Sequence, residues 1–327
     1  MRCFISNSST PSFNLATEEY FLKNSSDDFF ILYVNESCVV VGKHQNVLSE
    51  INLRYIIENR IKVARRISGG GAVFHDLSNL NFCFIQNCEN REKINFQYFI
   101  SPILESLNSL GLDVSFSGRN DLILKSTKIS GNAMHIYKNR VLAHGTLLFD
   151  TNLHQLSNSL INNYKLFTDR SIKSVKSKVT NISNFLYETK TMETFTADIF
   201  QYVLRNTSGS YIKSIDETEK KNIYELSESK FESWNWIYGY SPRYSFENEF
   251  SPNNSPFNLK LIVEKGIIQD IIIKCTDTTL NYLKNAIENL KYCRHSYQDI
   301  YLNLTNNVEL NSRSNFNISE FCFKLFQ

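Results

Sequence analysis

Arg65-Arg66-Ile67-Ser68-Gly69-Gly70-Gly71-Ala72-Val73-Phe74-His75-Asp76 is the stretch on which the reading of this chain turns. The 327 residues contain only 11 glycines, so three in succession stand above the compositional background. A strand over 62–67 enters the cluster and Ala72-Val73-Phe74 leaves it, which predicts a loop between two strands. Glycine lets backbone N–H groups turn toward an anion and lets a phosphate approach with no Cβ in the way. The two arginines, coming from the preceding strand, can add charge-assisted bonds to phosphate oxygens. A tight turn with solvated arginines explains the glycines alone; the double arginine and the β-rich flanks favour an anion-binding loop. The stretch matches neither G-x-x-x-x-G-K-[ST] nor G-x-G-x-x-G, so a P-loop and a dinucleotide fold are not supported.

Around this loop the chain alternates strands and helices. Residues 14–23 read as a helix, with Leu15, Ala16, Glu19 and Leu22 spaced over successive turns. Residues 29–34 and 38–41 are β-branched and aromatic runs of strand length, and Asn52 is placed to cap a helix through Ile56 and Ile57. The alternation over 79–85 predicts a half-buried strand. A helix over 97–110 ends at Gly111, and strands over 128–137 and 141–149 flank the turn Lys138-Asn139-Arg140. Helices are expected to dominate 152–230, apart from a Lys- and Ser-rich loop over 173–178. Pro242, Pro252 and Pro256 are three of the five prolines and cluster with Asn and Ser, which marks a boundary. Beyond it, strands over 259–264 and 267–273 turn at Lys265-Gly266, and a helix follows over 280–290. The expected fold class is α/β (α+β): mixed β-sheets flanked by helices in a domain 1–240, followed by a small α+β domain 241–327.

Composition is that of a soluble globular protein, with 42% hydrophobic and 21% charged residues. A formal charge of only +2 provides no global field to draw the chain onto nucleic acid or a membrane surface. No apolar run approaches the ~18 residues of a spanning helix, and the N-terminus lacks the apolar stretch of a signal peptide. The seven cysteines are scattered and never spaced C-x-x-C, which argues against a disulfide framework or zinc site and for a reducing, cytoplasmic address.

A second feature is Lys128-Ile129-Ser130-Gly131-Asn132-Ala133, preceded by Gly118-Arg119-Asn120-Asp121. A lysine on a strand beside glycine offers a point charge where the backbone can crowd a ligand, although by itself it reads more readily as a surface lysine. His144-Gly145-Thr146 lies on the next strand, and an isolated histidine is more often structural than catalytic. No Ser/His/Asp or Cys/His arrangement and no paired carboxylates stand out. The residues alone lead to an anion-binding α/β enzyme.

Taken together, Asn14-Leu15-Ala16-Thr17-Glu18, Gly42-Lys43-His44-Gln45-Asn46, the stretch from Arg65 to Asp76, Gly118 to Leu122, Lys128 to Ala133 and His144 to Leu148 resemble the lipoate–protein ligase A family in order and spacing. Thr180-Asn181 and Trp234-Asn235-Trp236-Ile237-Tyr238-Gly239 extend the resemblance toward the expected boundary. It implies a catalytic domain shared with biotin–protein ligases and an accessory C-terminal domain. It implies that lipoate and ATP, with Mg²⁺, form lipoyl-AMP and release pyrophosphate. The lipoyl group then passes to a lysine of the lipoyl domains of 2-oxoacid dehydrogenase complexes or of glycine-cleavage H protein. By the same resemblance, Lys128 is the catalytic residue, contacting the lipoate carboxylate and the α-phosphate. Arg66 and Gly71, Ala72, Val73 and Phe74 hold ATP and the mixed anhydride. Arg65, Gly70, His75, Asp121 and His144 are supporting positions, and no metal ligand is assigned.

Two departures from the family pattern are Ser78, where glycine is frequent, and Asn235, where an acid is frequent; neither is an expected ligand position. The nearest alternative is a lipoyltransferase that uses only preformed lipoyl-AMP, against which Arg119-Asn120-Asp121 follows the ligase pattern. An octanoyltransferase needs a nucleophilic cysteine shortly before the lysine motif, and no cysteine lies between Cys88 and Cys275. A non-catalytic lipoate or nucleotide carrier would keep the pocket and release no pyrophosphate.

Overall fold

The apolar runs pair as strands much as their composition demands. The computed structural model describes residues 1–88, 94–118, 120–161, 163–312 and 316–327, so Arg119 lies outside the described residues. The chain divides into two compact units. One comprises Met1–Lys43, Ile61–Ser157 and Ser174–Ser233; the other comprises His44–Arg60, Asn158–Lys173 and Trp234–Gln327.

The first unit is built on an eight-stranded mixed sheet, in the order Tyr211–Ile212, Arg2–Ile5, Phe29–Val34, Asn79–Asn87, Arg140–Leu148, Thr127–Tyr137, Asp121–Leu124 and Val114–Ser117. Arg2–Ile5 runs parallel to both its neighbours, and every other pair is antiparallel. The α/β (α+β) class with mixed sheets flanked by helices is therefore what the chain adopts. Helices Phe96–Ser109 and Met192–Asn206 cover the sheet, inserting Ile100, Ile103 and Leu107 and Phe195, Ile199 and Val203 among Phe30, Phe84, Leu122, Ile129 and Leu147. Ring pairs lock this layer, with Phe149 stacked on Phe195 at 4.5 Å and Phe30 on Phe84 at 4.7 Å.

Two expectations are corrected here. The strand Asn79–Asn87 is buried on both faces from Asn79 to Ile85 rather than on one. As a central strand it has no solvent face, and its asparagine amides donate inside the sheet: Asn79 Nδ2 to Asn81 Oδ1 at 3.0 Å and Asn81 Nδ2 to the Tyr33 carbonyl at 3.2 Å. The stretch 152–230 is less helical than its composition suggests, because Phe167–Asp169 and Tyr211–Ile212 are strands too short to show a period. The expected loop over 173–178 is irregular, and Val179 bridges to Lys128 in parallel.

The helix Pro11–Asn24 has eleven buried residues, polar ones included. It is stable because each polar group finds a partner. Asn14 Nδ2 donates to the Ser8 carbonyl and to Asn35 Oδ1, Thr17 Oγ1 to the Phe13 carbonyl, and Glu19 pairs with both Lys23 and Lys230. Glu18, which is 1% exposed, is the acid this helix delivers to the site described below.

The second unit carries a four-stranded antiparallel sheet in the order Phe167–Asp169, Tyr244–Phe250, Phe257–Glu264 and Ile267–Lys274. Lys265 and Gly266 both have positive φ, 51° and 72°, which is the turn a two-residue hairpin prefers. His295 is fully buried in this unit, accepting from Tyr244 Oη at Nδ1 and donating from Nε2 to the Leu325 carbonyl, each at 2.7 Å. Burial lowers its pKa to about 4.

Above the ordinary histidine pKa of ~6.5 both folded and unfolded states hold a neutral ring, so His295 contributes no pH dependence. Between there and about 4 the unfolded ring takes up a proton that the native ring refuses, so stability falls as pH falls through this window. Thermal unfolding followed from pH 7 to pH 4 should show this decline, and His295→Gln, which can keep both hydrogen bonds, should flatten it. An equally steep profile in the variant would contradict the assignment.

Candidate active site

The glycine loop hangs from a three-stranded sheet in which Cys38–Val41 runs parallel to Lys62–Arg65 and antiparallel to Val73–His75. The loop folds back so closely that a Cβ on Gly42 would sit 2.1 Å from the Gly70 carbonyl oxygen, and Gly70 itself has φ +88°. Only glycine meets both conditions without displacing backbone.

The arginines do something more specific than the sequence suggests. Arg65 is fully buried, and its Nη1 bonds the Gly42 and Lys43 carbonyls at 3.0 Å each. Arg66 is 6% exposed; its Nη1 donates to the Val40 carbonyl at 3.0 Å, and its Nη2 to the carbonyls of Gly69 and Gly71 at 2.6 and 2.7 Å. Its Nε donates to Ser68 Oγ at 3.0 Å. Burial lowers the Arg66 pKa to about 10, so the guanidinium stays charged at neutral pH. A trans peptide points its carbonyl and N–H in opposite directions, so drawing the Gly69 and Gly71 carbonyls inward turns the Gly70 and Ala72 N–H groups away. Ala72 N–H is taken by Ser174 Oγ at 2.8 Å. Among the described residues, Gly70 N–H has no hydrogen-bond partner. Gly71, Ala72 and Val73 are partly exposed, whereas Phe74 is 1% exposed and pairs with Val39 in the sheet.

Behind the loop runs a buried polar chain. Ser68 Oγ lies 2.6 Å from His144 Nε2, His144 Nδ1 lies 2.8 Å from Glu18 Oε2, and Tyr33 Oη donates to Glu18 Oε1 at 2.9 Å. Burial pushes the Tyr33 phenol well up from its ordinary range, so it remains a donor. His75 stands apart from this chain. Its Nδ1 lies 3.0 Å from Asn35 Nδ2, which only donates, so Nε2 carries the proton. Burial, reinforced by Arg66 and His144, lowers its pKa to about 3 and keeps it neutral.

Lys128 stands on the strand Thr127–Tyr137, whose pairing with Asp121–Leu124 shifts register between Leu122 and Ile123. Its Nζ lies 2.9 Å from Asp121 Oδ1, with both side chains partly exposed. The backbone of Lys128 is tied on both sides to residues 178 and 180, and its ammonium passes over Gly131, where a Cβ would come within 3.4 Å of Nζ. Asn120 and Asn132 close the motif by reciprocal bonds to each other's carbonyls at 2.6 and 2.7 Å. Two residues along the same strand face, Ala133 Cβ is 3.9 Å from where a Cβ on Gly70 would stand. The glycine loop and the lysine thus meet on one strand, with Arg66 and His144 behind the loop and Asp121 beside the lysine.

Sequence reasoning missed Glu18, Tyr33, Ser68, Gly42 and Ser174 as parts of this assembly. Glu18 was detectable in principle, as an acid within a helix otherwise spaced for burial. Ser174, from an irregular stretch far along the chain, carried no signal.

The family model described as lipoyl protein ligase A/B catalytic domain matches residues 10–204. Lipoate–protein ligase 1 of Staphylococcus aureus is 41% identical over 270 residues, covering 81% of this chain and 82% of that protein. The chain belongs to the lipoate–protein ligase family. It is accordingly an enzyme of the ligase class. Among solved structures, lipoate-protein ligase A bound with ATP has the same fold, with TM-score 0.62 at 23% identity over 73% of this chain and 98% of that one. So has a structure from Thermoplasma acidophilum described as a bi-partite lipoate protein ligase and its E2 lipoyl domain, with TM-score 0.60 at 23% identity over 73% of this chain and 95% of that one.

The three glycines of the loop are not equivalent, which gives a test of its anion-facing geometry. A Cβ on Gly69 meets nothing within 4 Å, so Gly69→Ala should leave nucleotide affinity within about twofold of the parent. Gly70→Ala places a side chain at φ +88° and 3.0 Å from Arg66 Nη2, and should weaken nucleotide binding about tenfold or more in a folded protein. Titration calorimetry with ATP distinguishes the two; equal affinities would mean that the loop is only a turn.

Proposed function

We propose that this enzyme activates lipoate with ATP to lipoyl-AMP and transfers the lipoyl group to a lysine of a lipoyl-accepting protein. The observation that carries the reading is the convergence of the glycine loop and Lys128 on the strand Thr127–Tyr137. Adenylation brings a carboxylate against a polyphosphate, so two anions must be held together. Lys128 supplies the cation at their junction, while the loop's backbone supplies fixed dipoles that need no reorganisation as charge moves. A lipoate carboxylate oxygen attacks the α-phosphorus, the bond to the β-phosphate breaks, and pyrophosphate leaves with the electron pair. The neutral ε-amine of the acceptor lysine then attacks the acyl carbon, AMP departs, and the new amide nitrogen loses its proton. Transfer is direct, without an acyl-enzyme.

Asp121 holds Lys128 in a partly exposed ion pair and, in this reading, yields its place to the substrate anions. In this reading Arg66 acts on the nucleotide through the loop it braces, and Arg65, His75 and His144 support it from behind. Magnesium belongs to the proposal as a companion of the ATP phosphates. Among the described residues no three His, Cys, Asp or Glu side chains converge on a metal site of their own.

The structures carrying ATP and an E2 lipoyl domain support ATP as co-substrate and lipoyl domains as acceptors. Glycine-cleavage H protein is proposed as a second acceptor. The cytoplasm is proposed as the location, which suits cysteines that form no disulfide among the described residues. We further propose that the stretch 241–327 assists adenylation more than transfer.

The test is purified protein with lipoate, ATP and Mg²⁺, following pyrophosphate and then modification of an apo-lipoyl domain. Lys128→Ala should lower pyrophosphate release by roughly 100-fold or more, about 3 kcal/mol at the reacting centre, while the thermal midpoint changes little. Near-normal release by a folded Lys128→Ala protein would overturn the assignment. Transfer from synthetic lipoyl-AMP without lipoate-dependent ATP cleavage would make the enzyme a lipoyltransferase instead.

A further inference from the structure

Glu18, His144 and Ser68 have the connectivity of an acid–histidine–serine triad, with 2.8 Å from His144 Nδ1 to Glu18 and 2.6 Å from its Nε2 to Ser68 Oγ. A nucleophilic serine, however, must present its oxygen to an acyl carbon. Ser68 has no exposed surface, and its Oγ already accepts the Nε–H of Arg66. The hydroxyl proton can go to His144, but the oxygen is occupied on the side that would attack. The chain ends on a guanidinium rather than on substrate.

We propose that Glu18, acting through His144 and Ser68, is a positioning residue that sets the Arg66 guanidinium and with it the ligand-facing side of the glycine loop. The inference rests on the reading of that loop as the nucleotide site. With the His144 ring neutral, the hydrogen-bond roles follow in sequence. The carboxylate of Glu18 can only accept. Tyr33 Oη donates to one oxygen, and burial beside Glu18 raises the Cys83 thiol pKa well up, so it stays protonated. His144 must therefore present Nδ1–H to the other oxygen. A neutral ring protonated there has a bare Nε2, which accepts the Ser68 hydroxyl proton. With its proton so placed, Ser68 Oγ turns a lone pair to Arg66 Nε–H. That bond fixes the rotation of the planar guanidinium, whose two Nη2 hydrogens then take the Gly69 and Gly71 carbonyls. The loop's outward N–H direction is thus decided three side chains away, on a helix that contributes nothing to the substrate face. Glu18 is 1% exposed, Tyr33 3%, Ser68 0% and His144 and Arg66 6% each, so bulk solvent has little access to these groups.

Swapping the acid for an amide reverses the chain. In Glu18→Gln, an amide that offers its NH₂ to His144 makes Nδ1 an acceptor and Nε2 a donor. Ser68 Oγ then faces two donors, and the Arg66 bond weakens. Two experiments test the proposal together. Long-range ¹H–¹⁵N NMR of the wild-type protein labelled with ¹⁵N-histidine should show His144 protonated at Nδ1 with an accepting Nε2. An Nε2–H ring with bare Nδ1 would overturn the proposal without any variant.

The second experiment is a double-mutant cycle on the Michaelis constant for ATP in lipoyl-AMP formation. Glu18→Gln and Ser68→Ala should each raise it roughly tenfold, and the double variant should be no worse than the worse single one. Multiplying effects would mean that Glu18 does not act through Ser68. If Glu18→Gln does not fold, Tyr33→Phe replaces it in the cycle with a smaller effect and the same non-additivity. Loss of acceptor-free lipoyl-AMP hydrolysis in Ser68→Ala would make Ser68 a nucleophile and refute the positioning role. Should the wild-type enzyme fail to cleave ATP with lipoate, the nucleotide reading falls, while the histidine spectrum still decides the direction of the hydrogen-bond chain.

Discussion

One guanidinium organises the site. Arg66 collects the carbonyls of Val40, Gly69 and Gly71 and the hydroxyl of Ser68 while almost wholly withdrawn from water. A buried charge is tolerated only when its hydrogen bonds are made, and here neutral dipoles make them rather than a carboxylate. The consequence is twofold. The loop's carbonyls are committed inward, and the guanidinium charge, offset in part by the Glu18 carboxylate, stands directly behind the loop. The glycines are permissive partners in this arrangement: Gly42 lets the strand pass beneath, and Gly70 takes the left-handed turn that brings both neighbouring carbonyls onto one nitrogen.

Lys128 works on the opposite principle. Its charge is paired with Asp121, partly exposed and carried on a flexible stem, so its partner can be exchanged. A rigid, dipole-rich wall and a movable cation are complementary means of holding a carboxylate and a phosphate together. The wall is preorganised for charge developing on phosphorus, and the lysine can follow the oxygen that migrates from one centre to the other. The strand Thr127–Tyr137 is what keeps the two at a fixed separation, anchored on one side by the Arg140–Leu148 strand and at Lys128 by residues 178–180.

Much of this was legible in the sequence because it is local. The strands Phe29–Val34 and Cys38–Val41, the turn before Arg140 and the Asn52 cap, whose side chain accepts from Tyr55 N–H, each follow from a few adjacent residues. The glycine loop and the lysine motif were also visible, each as a weak signal that gained force from the other. What local pattern could not convey was the direction of side chains and the company they keep. The double arginine reads as a pair of phosphate ligands, and nothing local shows that Arg65 and Arg66 also bond backbone carbonyls around the loop. Asn79 and Asn81 read as a solvent face until the strand is found at the middle of eight. Glu18, Ser68 and His144 lie 126 and 76 residues apart along the chain at their two contacts, a distance over which no spacing rule operates.

The central claim is that lipoate and ATP react on this loop and lysine to give a bound adenylate before any acceptor protein is involved. Exchange of labelled pyrophosphate into ATP tests that most directly, because exchange requires a reversible adenylate. The account predicts exchange that depends on lipoate, proceeds without a lipoyl domain and is lost with Lys128→Ala. Exchange absent unless an acceptor protein is present, in an enzyme that nevertheless lipoylates it, would contradict the account.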